Sequence, residues 1–175
     1  MIAATAVYYF GWYYKEFNRA TFIILSSFFL YYIVFLFVPV AGPTFYYKAI
    51  GMQNVVAGVF PNIHDYFNHN QTCLPSPGYT DGIFYHLVES AKAAGERPTA
   101  AFPSSHVSVS TICMLLLWHA RNYKFLAALA PFYLLLCCAT VYIQAHYLID
   151  AIVGFISACI LFAILLRISR KMITK

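Results

Sequence analysis

Three runs of apolar residues decide what this chain can fold into. Residues 20–40, 124–145 and 148–168 are each close to the length, about 20 residues, that a helix needs to cross the hydrocarbon core of a bilayer. A fourth run, 104–120, is shorter and opens with hydroxyl residues, so its first turn is expected to lie against protein and not lipid. Composition supports a membrane protein, with 62% of residues hydrophobic and 10% charged. Soluble domains run at roughly 45–50% and about 25%. Pro131 falls mid-span, where neighbouring helices can satisfy the freed carbonyl. Residues 2–14 are apolar and aromatic but too short for a full span. They have neither the basic start nor the small-residue cleavage site of a signal peptide. They read as the end of a helix or as an interfacial segment.

The charges fix an orientation. If Lys15 and Arg19 face the cytoplasm, Arg121, Lys124, Arg167, Arg170, Lys171 and Lys175 return to the same side, with Glu16 the only acid among them. The other side then holds Lys48, Lys92 and Arg97 against Asp65, Asp81, Glu89, Glu96 and Asp150. This asymmetry follows the positive-inside rule. The basic residues sit at the ends of apolar runs rather than interleaved with aromatics along a groove, which argues against nucleic acid as a partner. Between residues 42 and 101 lies a long mixed region. Its Pro75-Ser76-Pro77-Gly78 run signals a turn, and residues 81–93 have the pattern of an amphipathic helix. Loops of this length without a domain of their own are usually functional.

With that orientation three fragments meet at one membrane face. His146 and Asp150 are four apart and share a side of a helix. The carboxylate can accept the proton of one ring nitrogen and leave the other free as a nucleophile. An interfacial histidine beside an acid that starts a helix accounts for the pair about equally well. Ser104, Ser105 and His106 open the fourth span, where free backbone N–H groups make a cradle for phosphate and His106 can donate a proton to a leaving alkoxide. Taken alone, the blander account of this fragment is the stronger, with Ser104 capping the helix and His106 a polar interface residue. Arg97 offers a fork of donors to phosphoryl oxygens, and equally a contact to lipid headgroups. His64 and His69, five apart beside Asp65, fit no helical metal pair and no known zinc spacing.

In order along the chain, Arg97-Pro98, Pro103-Ser104-Ser105-His106 and His146-x-x-x-Asp150 resemble the signature of the type 2 phosphatidic acid phosphatase superfamily. Glucose-6-phosphatase, the vanadium haloperoxidases and the sphingolipid head-group synthases are included in it. The resemblance covers roughly residues 39–168. It implies an all-α, multi-pass transmembrane helix bundle with a long non-cytoplasmic loop containing the amphipathic helix. The whole chain, 1–175, would be one membrane-embedded domain. Because the family usually has six spans, N-terminal helices are expected to be missing.

By the same resemblance His146 is the nucleophile, Asp150 orients it and His106 is the general acid. Arg97, Ser104 and Ser105 would hold the phosphate. No cofactor or metal is implied, and the partners are a lipid phosphate substrate and membrane lipids. The implied activity is hydrolysis of a phosphomonoester or diphosphate lipid through a phosphohistidine, at the non-cytoplasmic face of a cell membrane. Three positions depart from the family pattern. Ser90 stands where a lysine is common, with Lys92 nearby. Ser105 replaces a glycine, and Ala139-Thr140 replaces Ser-Arg. With the Pro39-Val40-Ala41-Gly42-Pro43 run, these changes are closer to the inositol-phosphotransferase branch, which passes the phosphoryl head group to a lipid hydroxyl. A non-catalytic membrane member of the family is the third reading.

Overall fold

A computed structural model of the chain describes residues 1–173. Among the described residues the fold is all-α, with helices and no strands. The elements are α1 (Ile2–Trp12), α2 (Phe17–Phe37), α3 (Pro43–Ile50), α4 (Met52–Val56), α5 (Tyr66–His69), α6 (Ile83–Gly95), α7 (Ser105–His119), α8 (Tyr123–Tyr142) and α9 (Leu148–Ile173). Three helices are long and apolar enough to cross a membrane, over Tyr14–Phe37, Tyr123–Tyr142 and Leu148–Lys171, and α7 is the shorter apolar fourth.

The short helix is the one the others surround. α7 packs on α9, α8, α2 and α1, and its Val107, Ile112, Cys113, Leu116 and Leu117 are buried. Burial on all sides explains its poor amphipathicity and lets it be shorter than a lipid-facing span. By contrast Thr140 is the one buried residue of α8, as expected of a helix that presents much of its surface to lipid. The opening stretch, read from sequence as a helix end or an interfacial segment, is a bundle helix. Thr5 and Tyr9 of α1 are buried, and the Tyr9 hydroxyl donates to the Leu116 carbonyl at 2.9 Å.

Lipid gives helices little hydrophobic reason to associate, so close approach and interhelical hydrogen bonds hold such bundles. The α7–α9 seam has both. A Cβ on Gly154 would come within 2.8 Å of the Ser104 carbonyl, and the Ser108 hydroxyl donates to the Gly154 carbonyl at 3.0 Å. Tyr31 meets Ser157 at 2.9 Å and Thr111 meets Tyr133 at 2.8 Å, joining α2 to α9 and α7 to α8.

The bundle has two chemically distinct ends. Lys15, Arg19, Arg121, Lys124, Arg167, Arg170 and Lys171 flank the helix ends at one of them. Lys175, counted with these from sequence, lies outside the described residues. The other end gathers the last turn of α2, the first turns of α7 and α9, the last turn of α8 and the 42–101 region. That region holds four short helices, including α6 two residues downstream of the expected amphipathic stretch.

Candidate active site

Backbone hydrogen bonds bring the three fragments together. α2 stops at Phe37 because Val38 precedes Pro39, and a residue before proline is pushed out of the α region. The extended segment that follows serves as a common seam. The Ala101 N–H donates to the Val40 carbonyl at 3.1 Å and the Gly42 N–H to the Pro98 carbonyl at 3.0 Å. The Thr44 N–H donates to the Gln144 carbonyl at 2.9 Å, which ties in the stretch leading to His146. Gly42 is the point of closest approach. A Cβ there would sit 2.8 Å from the Ala145 carbonyl oxygen, a contact that real Cβ atoms essentially never make.

At this junction two imidazoles face one another. Nδ1 of His106 lies 3.4 Å from Nε2 of His146, and the ring centroids are 5.7 Å apart. The other nitrogen of His146, Nδ1, is 2.7 Å from the carbonyl oxygen of Ala101. A carbonyl only accepts, so Nδ1 carries the proton and Nε2 presents its lone pair toward His106. Burial, aided by the neighbouring His106, holds the pKa of His146 down to about 4, while the bond to Ala101 opposes that shift. At neutral pH the ring is therefore the uncharged, nucleophilic form.

Asp150 lies beside the imidazole, as its spacing implied, but does not hydrogen-bond it. Its Oδ2 is 3.9 Å from Nδ1 of His146, and it accepts the Tyr147 N–H at 2.8 Å. Asp150 is three positions after Tyr147, so the carboxylate reaches back to close the N-terminus of α9, as the acid of a capping box does. The hydrogen bond expected between Asp150 and the imidazole goes to the Ala101 carbonyl. Ser104 likewise serves the backbone. It is completely buried, its Oγ accepts the Val107 N–H at 3.4 Å and its N–H donates to the Asp150 carbonyl at 3.0 Å. It caps α7 and is not among the residues lining the cleft.

The cleft itself has a volume of about 130 Å³, and Arg97, Ala101, Ser105, His106 and His146 are in its wall. Arg97 is exposed and donates to Oε1 of Gln71, in the long region, at 3.2 Å. A second cavity of about 690 Å³ adjoins the first, sharing Tyr32, Gly95, Glu96, Ser105, His106 and Ala145 with it. Its remaining wall is largely apolar, with Phe28, Val88, Val109 and Leu136.

Two further charged residues belong to this wall. Glu96 borders both spaces, and burial raises its carboxyl pKa. Lys92, considered from sequence as a replacement for the missing phosphate-binding lysine, is buried and already engaged. Its Nζ donates to the Leu74 carbonyl at 3.1 Å and pairs with Glu89 at 3.4 Å. Glu89 in turn accepts the Ser76 N–H at 3.0 Å, and its hydrogen bonding with Ser76 leads the effects that lower its pKa. Lys92 lines the larger cavity and clasps α6 to the 74–76 turn.

Fold and site together define an integral membrane helix bundle with a histidine pair in a cleft at one end. The family model of the PAP2 superfamily matches residues 1–164, and the chain belongs to that superfamily, whose members are generally phosphatases or related enzymes. No curated protein and no solved structure matches the chain.

Proposed function

We propose that the chain is a lipid phosphate phosphatase that works through a phosphohistidine on Nε2 of His146. One observation carries this reading: Nε2 is unprotonated, because the Ala101 carbonyl takes the proton of the other nitrogen, and it lies 3.4 Å from Nδ1 of His106 in the cleft wall. In the first step Nε2 attacks phosphorus and the bond to the lipid oxygen breaks. His106 supplies the proton that the departing alkoxide takes. Arg97, and Ser105 at the start of α7, support the phosphoryl oxygens with donors. In the second step a water molecule attacks phosphorus, His106, neutral after the first step, takes the water's proton, and the electron pair of the P–N bond returns to Nε2 as inorganic phosphate leaves. Catalysis in this scheme rests on positioned donors and charge. The basic residues at the opposite end of the bundle favour an orientation that puts the cleft on the non-cytoplasmic side.

The adjoining cavity of about 690 Å³ favours a second reading, because it gives an acceptor alcohol a place beside the cleft. The chain is then a lipid phosphotransferase, related in chemistry to inositol phosphorylceramide synthases. One assay separates the possibilities. Purified protein in detergent is given a panel of lipid phosphates labelled in the phosphoryl group, with and without acceptor alcohols. Labelled inorganic phosphate supports hydrolysis, and label in a second ester supports transfer. Absence of alkali-stable, acid-labile label on the protein refutes the phosphohistidine. Failure to turn over any substrate, with no effect of vanadate, points to the non-catalytic reading.

A further inference from the structure

The helix α6 is unlike the rest of the bundle. Among the described residues it makes no extensive contact with any of the long helices, and it is held mainly through the Lys92–Glu89–Ser76 clasp. Its side chains fall into three strips. Ile83, Phe84 and Leu87, at i, i+1 and i+4, share one side and are 76%, 83% and 60% exposed. The neighbouring strip, Val88, Ala91, Lys92 and Gly95, lines the larger cavity. His86, Glu89 and Ser90 make the polar remainder. An apolar strip this exposed on a water-facing loop is costly, whereas on a helix lying in the headgroup region it is the expected anchor.

We infer that α6 lies in the membrane surface, with Ile83, Phe84 and Leu87 seated among lipid chains, as the roof under which a lipid reaches the histidine cleft. Two independent placements favour lipid as the occupant of this strip. The spanning helices put the bilayer beside the bundle, and α6 runs directly into Glu96 and Arg97, at the membrane end where the cleft opens. The strip that faces lipid is also continuous around the helix with the strip that lines the cavity. A lipid chain sliding past α6 therefore stays mostly against apolar side chains, with Lys92 the one charged group on that strip. This inference rests on the proposed activity only for its kinetic arm.

The test has two arms on the full chain in vesicles of neutral phospholipid. In the first, Phe84→Trp adds an indole to the Trp12 and Trp118 background, and lipids brominated along the acyl chain serve as quenchers. Quenching in excess of the unsubstituted protein is expected, and an unquenched added indole overturns the inference. In the second, the pair Phe84→Asp and Leu87→Asp is assayed on two substrates, a long-chain lipid phosphate in the vesicles and a short-chain one dissolved in water. The apparent KM for the vesicle substrate should rise about tenfold or more while the soluble substrate changes by less than about twofold. An equal loss on both, or no loss on either, overturns it. An unsubstituted protein inactive on both substrates refutes the proposed function, and the quenching arm then decides this inference alone.

Discussion

Replacing Gly42 with alanine should damage the site without touching any group that does chemistry. Gly42 has φ near −70°, so an L side chain is tolerated by the backbone, and the whole effect must come from the space the methyl enters. That methyl would lie 2.8 Å from the Ala145 carbonyl oxygen and 3.7 Å from the Ala101 Cβ. Ordinary contact begins at 3.4 Å, so the two segments must part by roughly half an ångström or more. Overpacking of this kind costs about 1–3 kcal/mol. Ala145 and Ala101 flank His146 on both sides, one preceding it in the chain and the other accepting its Nδ1 proton. Displacement on the scale of 1 Å costs on the order of 100-fold in rate. We therefore expect Gly42→Ala to lower turnover about 10- to 100-fold while the protein still purifies as a folded species. Thermal unfolding in detergent and single-turnover labelling of the protein are the measurements. Gly11→Ala is the control, because its methyl would meet nothing within 4 Å and it lies inside α1. It should be neutral or stabilising by up to about 1 kcal/mol. Wild-type turnover and stability in Gly42→Ala would refute the claim that this contact sets the position of His146.

Other expectations follow from the same geometry. His146→Ala should abolish turnover with expression retained, and normal activity in that variant would falsify the mechanism. His106→Ala should slow phosphohistidine formation about 10²–10⁴-fold with an alkyl leaving group and far less with a nitrophenyl one, read as a leaving-group dependence. Arg97→Ala removes a charge-assisted donor worth about 1.5–3 kcal/mol, and should raise KM by one to two orders of magnitude with a smaller effect on expression. His146 also makes folding sensitive to pH. Its folded pKa, about 4, lies below the unfolded value of about 6.5, so as pH falls through that window the unfolded chain takes up the proton first. Stability is fully present above about 6.5, declines on the order of 3 kcal/mol toward pH 4, and is flat below. His146→Gln should remove that slope from the unfolding midpoint measured against pH.

The spans were legible because apolar runs of bilayer length have few other uses, and their observed bounds differ by a few residues at most ends. The sequence placed α2 at 20–40, and it ends at Phe37 because Pro39 restricts Val38. A helix does fall close to the 81–93 stretch, at Ile83–Gly95, with Ile83, Phe84 and Leu87 exposed rather than turned into a core. Short helices such as Pro43–Ile50 had no such signal, since one or two turns carry too little periodicity. At the site, the residue types that meet in the cleft were legible, and His146, His106, Ser105 and Arg97 do line it. The roles of Ser104 and Asp150 were harder to read. A hydroxyl or carboxylate near a helix start serves backbone N–H groups as readily as substrate, and composition does not distinguish the two. The partner of Nδ1 was out of reach altogether, because it is a main-chain oxygen.

That oxygen changes what mutation can do to this protein. Where a side-chain carboxylate governs which ring nitrogen keeps its hydrogen, one codon change can strip the control away. Here every amino acid at position 101 brings the same acceptor, so substitution there can disturb the tautomer only by bending the chain. The acceptor thus survives any exchange at Ala101, where only side-chain bulk in this buried wall is constrained, and vulnerability shifts to the glycine seam that keeps this stretch in register.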